Sequence, residues 1–252
     1  MIDSHSHLLP GVDDGSPSIE VSVPVLERFG REGVDLLVCT PHLRATDAAR
    51  APVGRYAEIL GRLAEAAPPK PLLRQGWEIM LDAPGVDLRH PALHLAGSGS
   101  VLVEFPRMNV PPGASQELLR IRMSGVVPVL AHPERYHGAT LERVFEWRSV
   151  GAVIQLDAAM LFGSAPMCRL ARAMLEEGLV DCIASDNHGD RRSLGAARRW
   201  LVEVGAPEQA HLLTHTNAER LLAGQPLIPV APIPRVEQGM LTRLKELFLG
   251  RR

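Results

Sequence analysis

The amino-acid sequence predicts a parallel α/β fold that closes on itself as a barrel. Short apolar segments alternate with helical segments along the chain, which is the pattern of repeated strand and helix units. The length of 252 residues is common for an α/β barrel built as one unit. In addition, histidine and acidic residues recur where the predicted strands end, and functional sites of parallel barrels lie at that rim.

Seven strands are predicted in chain order. The first is the N-terminal stretch that leads into His5 and His7. The later ones are short and apolar, as expected of strands that are buried on both faces of a parallel sheet. They are predicted at residues 35–40, 71–78, 100–105, 126–131, 152–156 and 181–185.

Helices are predicted between these strands from apolar periodicity and capping residues. Ser16 and Pro17 are predicted to be the N-cap and first residue of a helix that continues to Glu32, with a kink at Pro24. Thr140 is predicted to cap a helix that ends near residue 149. Further helices are predicted at residues 53–66, 114–124, 166–177, 193–204 and 207–213 and from residue 217 onward.

The barrel is predicted to occupy residues 1–225, with residues 80–98 as an irregular surface connection. Residues 226–252 are predicted to be a proline-rich connector and a C-terminal helix. One apolar stripe on that helix predicts packing on the body or on another subunit of a homo-oligomer, with membrane-surface binding as the alternative. The stripe consists of Met240, Leu241, Leu244, Leu247 and Phe248.

Composition limits the class of protein. Hydrophobic residues make up 46% and charged residues 22% of the chain, which excludes a disordered or fibrous class. A net charge of -2 without a long run of one sign does not favour a nucleic-acid partner. Three cysteines, Cys39, Cys168 and Cys182, lack close spacing, which favours a reducing cytoplasm. Neither a signal peptide nor a transmembrane segment is predicted.

The first candidate metal ligands lie at the start of the chain. His5 and His7 are two residues apart, so in an extended strand both imidazoles point to the same face and can bind one ion. Asp13 and Asp14 follow a Pro-Gly turn and add oxygen ligands, a mixture that suits Zn, Mn or Fe. Further candidates lie at or just past later strand ends, and their shared position predicts a metal centre at the rim. They are His42, Glu78, Glu104, His132, Asp186 and His188.

This set contains more ligands than one ion uses, which predicts two or three divalent ions. Adjacent ions lower the pKa of a bridging water to give hydroxide, and they clamp the attacking and leaving oxygens of a displacement at phosphorus. Phosphoester hydrolysis is therefore the predicted chemistry. No cysteine is followed by an arginine at the spacing of a phosphate-binding loop, so a cysteine nucleophile is not predicted.

Arginines near the predicted ligands are candidates for phosphate binding. Arg135 lies three residues beyond His132, and its alternative role is a salt bridge to Glu134. Arg191 and Arg192 follow His188, with a solvated helix start as the alternative. Arg135 and Arg191 are predicted to act in catalysis, and all three arginines are predicted to bind substrate.

Several motifs together resemble the bacterial PHP-type tyrosine-protein phosphatases of capsule and exopolysaccharide operons. The matching segments run from residue 1 to about residue 227, in the family's order. They are Met1–His7 with Val12–Gly15, Thr40-Pro41-His42, Gly76–Ile79, Val103-Glu104-Phe105, Ala131–Tyr136 and Ala184–His188. The resemblance implies a distorted (β/α)7 TIM-like barrel with three metal ions, usually manganese, that hydrolyses phosphotyrosine.

The resemblance also implies a ligand set for each ion. His5, His7, Glu78 and Asp186 would bind the first ion, Glu78, Glu104 and His132 the second, and Asp14, His42 and His188 the third. Arg135 would bind the phosphate. At the end of the sixth strand, relatives commonly have Asn where this chain has Asp157.

The substrate that the resemblance implies is the tyrosine-rich tail of a bacterial tyrosine autokinase, in the cytoplasm or at the periphery of the inner membrane. Three alternatives remain open at this point. One is hydrolysis of a small phosphomonoester such as histidinol phosphate. Another is a metal-binding scaffold or sensor without turnover, and the third is a nuclease, which the near-neutral charge disfavours.

Overall fold

The computed structural model describes residues 1–106 and 110–235, so the predicted C-terminal helix at 236–247 lies outside the described residues. Within these ranges the chain forms a mixed α/β fold in which every paired strand runs parallel to its neighbours. The parallel α/β class that the sequence predicts is confirmed. The strands are β1 Ile2–Ser6, β2 Leu36–Cys39, β3 His42–Arg44, β4 Leu72–Gln75, β5 Glu78–Met80, β6 Ser100–Glu104, β7 Val127–Ala131, β8 Val153–Asp157 and β9 Cys182–Ala184.

The strands are distributed over two sheets, in the orders β1-β2-β4 and β3-β5-β6-β7-β8-β9. Two segments of the chain contribute one strand to each sheet, with a break of two residues between the two strands. Thr40 and Pro41 separate β2 from β3, and residues 76–77 separate β4 from β5. The single strand predicted at 71–78 is therefore wrong in its extent. Backbone bonds still link the two interrupted passages, since Gly76 donates to the Cys39 carbonyl at 2.9 Å.

The first and last strands also lie next to each other, although they belong to different sheets. Ser6, the last residue of β1, forms an isolated parallel bridge with Asn187, which lies three residues after β9. The backbone N–H of Asp186 donates to the His5 carbonyl at 3.1 Å, and that of His7 donates to the Asn187 carbonyl at 2.8 Å. These bonds hold two of the predicted ligand segments side by side.

The helices agree with the predicted units except at one boundary. The first helix begins at Ile19 with Ser18 as N-cap, not at Ser16 and Pro17, because the hydroxyl of Ser16 accepts a hydrogen bond from Ser22 at 2.7 Å instead. Thr140 caps its helix as predicted, by accepting from the Arg143 N–H. The helices are α1 Ile19–Glu32, α2 Val53–Ala66, α3 Ala114–Met123, α4 Leu141–Ser149, α5 Pro166–Glu176, α6 Leu194–Glu203, α7 Pro207–His211 and α8 Asn217–Leu222, with a π turn at Leu212–Thr216.

The main hydrophobic core is formed by apolar side chains of the strands and of the helices packed against them. Trp147, Trp200 and Phe29 are fully buried in it, and Cys39 and Cys182 are buried as well. Burial of such large side chains stabilises the fold by about 25 cal/mol for each Å² of apolar surface removed from water. No helix in the two described ranges is long and apolar enough to cross a membrane.

Candidate metal centre

The nine residues that the resemblance assigns to metal ions come together near the ends of β1, β2, β4, β6, β7 and β9. Most of them are buried, whereas His42 and Asp14 lie at the solvent edge, with 29% and 64% of their side chains exposed. The groups that could hold a metal ion are His5 with His7 and Asp186, His5 with Glu78 and His132, His42 with Glu78 and Glu104, and His7 with Asp14, His42 and His188. The cluster therefore joins segments that are up to 183 residues apart, counted from His5 to His188.

Four side-chain atoms converge at the centre of this cluster. The Nε2 atoms of His5 and His7 are 3.1 Å apart. Oδ1 of Asp186 lies 3.3 Å from each of them, and Oε2 of Glu78 lies at 3.5 and 3.2 Å. Tetrahedral ligands about 2.0–2.1 Å from an ion lie roughly 3.3–3.4 Å from one another. The spacing therefore fits a divalent ion, and these are the residues that the resemblance assigns to the first ion.

Glu78 also links the first set to the second. Its Oε1 lies 2.7 Å from Nε2 of His132, and its Oε2 lies 3.0 Å from Nδ1 of His42. Glu104 completes this side, with Oε2 4.0 Å from the His132 ring nitrogen and Oε1 3.6 Å from that of His42. A carboxylate with both oxygens directed at different ligand groups is suited to bridging two ions.

The third set lies at the solvent edge of the cluster. Oδ1 of Asp14 is 3.2 Å from Nε2 of His42 and 3.6 Å from Nε2 of His188. The ring of His7 stacks on His188 at 4.2 Å between centroids and lies 4.5 Å from the His42 ring. His7 therefore lies between the first and third sets.

Buried atoms without hydrogen-bond partners provide a separate test of whether the cluster suits metal ions. Among the described residues, Oε2 of Glu78, Oδ1 of Asp186 and Nδ1 of His132 are buried and form no hydrogen bond. Leaving a buried polar group unpaired costs about 1–3 kcal/mol, and more when the group is charged. Two of these atoms face the imidazole nitrogens described above, so divalent cations would satisfy these two carboxylate oxygens. The cluster fits a metal centre on this evidence.

Two further residues orient the histidines. Asp13 accepts a hydrogen bond from Nδ1 of His7 at 2.7 Å, and Gln155 accepts one from Nδ1 of His5 at 2.9 Å. Gln155 is itself held by donating to the hydroxyl of Ser4 at 3.0 Å. Such bonds fix the tautomer and direct Nε2 toward the metal. Gln155 was not predicted from the sequence, although its position two residues before Asp157 places both side chains on one face of β8.

The backbone is strained at two of the ligand positions. His132 has a φ of +35° and Asp186 a φ of +46°, in the left-handed region that residues other than glycine rarely adopt. His132 directly follows β7, and Asp186 lies two residues after β9. Such strain costs about 1–3 kcal/mol and persists where the surrounding structure imposes it, often at functional sites.

The carboxylates and imidazoles of the cluster shift each other's pKa. Burial alone would raise the pKa of Glu78, but the charge of His5 and a hydrogen bond with His132 lower it well below its usual value. Burial would lower the pKa of His7, whereas the hydrogen bond with Asp13 and the nearby carboxylate of Asp186 raise it well above its usual value. Glu78 thus stays ionised and presents negative charge to a cation, and metal binding would displace a proton from His7.

Two of the three predicted arginines reach this cluster. Arg135 donates through Nη1 to Oδ2 of Asp186, and the same nitrogen lies 3.5 Å from Oδ2 of Asp157. Arg192 also donates to Oδ2 of Asp186, at 3.0 Å. Arg191 is exposed and forms no ion pair with the cluster in the described part of the chain. A guanidinium pair therefore lies beside the first ligand set, on the side of β8 and β9.

A second acidic pair lies behind Arg135. Glu134 is buried, and its Oε1 accepts a hydrogen bond from the backbone N–H of Asp157 at 3.0 Å. Burial and the nearby charge of Asp157 raise the pKa of Glu134 to about 8. Burial, followed by the charge of Asp186, raises the pKa of Asp157 as well. The alternative role considered for Arg135, a salt bridge to Glu134, is replaced by its bonds to Asp186 and Asp157.

The chain is similar to several known proteins. The chain is 28% identical to the tyrosine-protein phosphatase YwqE of Bacillus subtilis over 93% of its own length and 96% of that protein. It is 33% identical to the tyrosine-protein phosphatase CpsB of Streptococcus pneumoniae over 75% of its own length and 83% of that protein. A crystal structure from work on YwqE and CpsB, described as unique metal-dependent tyrosine phosphatases, has the same fold, with a TM-score of 0.73 at 24% identity over 93% of this chain and all of that chain.

A family model provides the assignment. The model of capsular polysaccharide synthesis proteins CpsB/CapC matches residues 1–223, which include every residue of the cluster and both arginines that reach it. The chain therefore belongs to the CpsB/CapC family of capsular polysaccharide synthesis proteins.

Proposed function

We propose that this protein is a metal-dependent protein-tyrosine phosphatase. The observation that carries the proposal is the convergence of four ligand atoms from His5, His7, Glu78 and Asp186 beside the guanidinium of Arg135. A site of this kind joins divalent cations to a group that binds phosphate oxygens, which is what hydrolysis of a phosphomonoester requires. The tyrosine-phosphatase activity named for the relatives supports phosphotyrosine as the substrate.

The proposed cofactor is two or three divalent ions, with manganese preferred over iron or zinc. His5, His7, Glu78 and Asp186 would bind the first ion, Glu78, Glu104 and His132 the second, and Asp14, His42 and His188 the third. Bound divalent ions lower the pKa of water and neutralise the charge of phosphate oxygens. The mixture of imidazole and carboxylate ligands supports a transition metal rather than calcium or magnesium.

Arg135 and Arg192 are proposed to orient the phosphate. Both share Oδ2 of Asp186 and so lie at the edge of the first ligand set. Because the guanidinium group presents parallel donors to two oxygens, it holds a phosphate in one orientation. Asp157 and Asp186 would keep Arg135 in place during turnover. Arg191 is proposed only as a solvent-side contact for the substrate, since its side chain is exposed.

We also propose that the two sheets are parts of one distorted (β/α)7 barrel of TIM type. The bridge between Ser6 and Asn187 and the two interrupted passages support this closure. The barrel would occupy residues 1–225. The described part of the connector packs on it, since Ile233 is buried and its N–H donates to the Leu175 carbonyl at 3.1 Å.

The proposed physiological substrate is the tyrosine-rich tail of a bacterial tyrosine kinase that controls capsule or exopolysaccharide synthesis. Membership of the capsular polysaccharide family supports this choice. The reaction would take place in the cytoplasm or at the periphery of the inner membrane, where such a kinase presents its tail. A homo-oligomer is part of the same proposal.

The experiment that tests the proposal compares His132→Ala with wild-type protein on a phosphotyrosyl peptide in the presence of Mn. We expect kcat/KM to fall by more than about 100-fold, because a metal contributes several kcal/mol to such a transition state. The exposed His137, in the same loop, provides the matched control His137→Ala, which should retain activity. Retention of wild-type activity by His132→Ala would refute the proposed role of the second ligand set.

A further inference from the structure

A groove opens from the metal centre on the side of β3, β5 and β6. We call it the aryl groove; it is lined by Asp14, His42, Leu43, Arg44, Asp47, Met80, Glu104 and Pro106. Its volume of about 600 Å³ lies in the range of small-molecule sites, roughly 300–1,000 Å³. Asp14, His42 and Glu104 belong both to the groove and to the candidate metal centre, so the two are continuous.

A second space borders the metal centre but leaves no room for an organic group. The space between His5, His132, Gln155 and Asp157 is too small to admit one. Arg135 and Arg192 lie near this space, beside β8 and β9, and neither lines the aryl groove. A phosphate held between the arginines and the ligands would therefore direct its ester group into the aryl groove.

The middle of the aryl groove is apolar. Met80 follows Glu78 by two residues in β5, so the two side chains lie on the same face of the strand, and Met80 is half-buried. Leu43 follows His42 in β3 and is buried, whereas Pro106 is exposed beyond the end of β6. The thioether of methionine makes favourable contacts with aromatic rings. Arg44 and Asp47 add one charge of each sign at the exposed rim.

We infer that Met80, together with Pro106 and the edge of Leu43, binds the aromatic ring of the substrate. Met80 is therefore a specificity-determining residue. This inference rests on the proposed function, because it places the phosphate at the metal centre. An aliphatic phosphomonoester leaves this apolar surface exposed to water. An aromatic one covers it, so the preference for phosphotyrosine arises from burial of the ring in the aryl groove.

The test is a binding experiment that does not depend on turnover. Full-length protein loaded with Mn is titrated with phenylphosphonate and with methylphosphonate, which carry the same charged group and differ in the ring. We expect wild-type protein to bind phenylphosphonate about tenfold more tightly. Met80→Ala should reduce this preference to less than about twofold, while the affinity for methylphosphonate stays near that of wild type.

Met123→Ala is the matched control, because Met123 is 78% exposed on α3 and does not line the aryl groove. It should retain the full preference for phenylphosphonate. Equal binding of the two phosphonates by wild type, or an unchanged preference in Met80→Ala, would overturn the inference. Loss of binding of both phosphonates in Met80→Ala would overturn it too, since Met80 would then act through Glu78. A preference without hydrolysis of phosphotyrosyl peptide would refute the proposed function alone.

Discussion

Glu78 is the residue on which the cluster depends most. Its two oxygens face His132 on one side and His5, His7 and His42 on the other, and its side chain is fully buried. A buried carboxylate is costly unless it is paired or bound to a metal. Its position is therefore explained by the cations that the cluster would hold.

Gln155 is a positioning residue for the first ligand set. Gln155→Leu retains most of the volume but removes the acceptor for Nδ1 of His5, which is then left buried and unpaired. We expect the affinity for Mn to fall by about 10–100-fold, as for other residues that orient metal ligands. Calorimetric titration of metal-free protein measures this, with the exposed Gln116→Leu as control. An affinity equal to that of wild type would show that Gln155 does not orient His5.

Glu134 predicts a pH dependence of stability. Burial, with the charge of Asp157, raises its pKa from 4.5 to about 8, so the folded state favours the protonated form. This contribution is complete below pH 4.5 and is lost as the pH rises toward 8, because ionisation of the buried carboxyl then opposes folding. Glu134→Gln cannot ionise, so its stability should fall less than that of wild type over this range.

The size of this effect follows from about 1.4 kcal/mol for each pKa unit. In metal-free protein, the difference in free energy of unfolding between Glu134→Gln and wild type should grow by about 3 kcal/mol from pH 5.5 to pH 8. Any constant cost of burying the amide cancels in this comparison. Urea denaturation at the two pH values measures it, and Glu58→Gln, on the exposed side of α2, is the control. An equal change in the free energy of unfolding of Glu134→Gln and wild type between the two pH values would contradict the raised pKa of Glu134.

At the scale of elements, the interruptions of two strands determine where ligands lie. His42 and Glu78 are the first residues of β3 and β5, and they pair with each other in the parallel register. Pro41 has no N–H, so the ladder between β2 and β4 cannot simply continue through it. Because β3 and β5 begin at His42 and Glu78, the two side chains lie next to each other in the six-stranded sheet.

The turn after β1 predicts a sensitive glycine. A Cβ at Gly15 would overlap the carbonyl oxygen and the Cβ of His7, and the same carbonyl accepts from the Ser16 N–H at 2.8 Å. Gly15→Ala should therefore displace His7 and lower stability by about 1–3 kcal/mol, with weaker Mn binding. Thermal unfolding and metal titration measure the two effects. Gly61→Ala is the control, because a Cβ in that helical position meets nothing within 4 Å and should be neutral or stabilising. Wild-type metal affinity in Gly15→Ala would contradict the account.

At the level of the whole molecule, the residues that form the cluster can be found in the sequence because they lie near the ends of predicted strands. Strand ends are visible as apolar runs, and the C-terminal ends of parallel strands meet at one rim. The roles of Gln155 and Asp13 could not be predicted in this way. Gln155 reaches His5 across 150 residues of sequence, and the contact depends on the placement of β8 relative to β1. The extents of β3 and β5 depend likewise on pairing between strands rather than on the segments themselves.

The sequence also does not predict which of the arginines reach the cluster. Arg135 and Arg192 both reach Asp186, whereas Arg191 is exposed, and the helix-start sequence alone does not distinguish the two neighbours. Which side chain turns inward depends on the bonds of Arg192 with Asp190 and Asp186, at 2.8 and 3.0 Å. Tertiary contacts therefore determine which of the two neighbouring arginines reaches the cluster, and the local sequence pattern does not.

We propose that the candidate metal centre catalyses hydrolysis of phosphotyrosine through bound metal ions. The most direct test of this activity measures phosphate release from a phosphotyrosyl peptide. The wild-type protein is first dialysed exhaustively against EDTA and then titrated with Mn. We predict no activity in EDTA and a saturable return of activity with Mn, which Glu78→Gln should reduce by more than about 100-fold. Full activity of the dialysed protein in EDTA would contradict the claim.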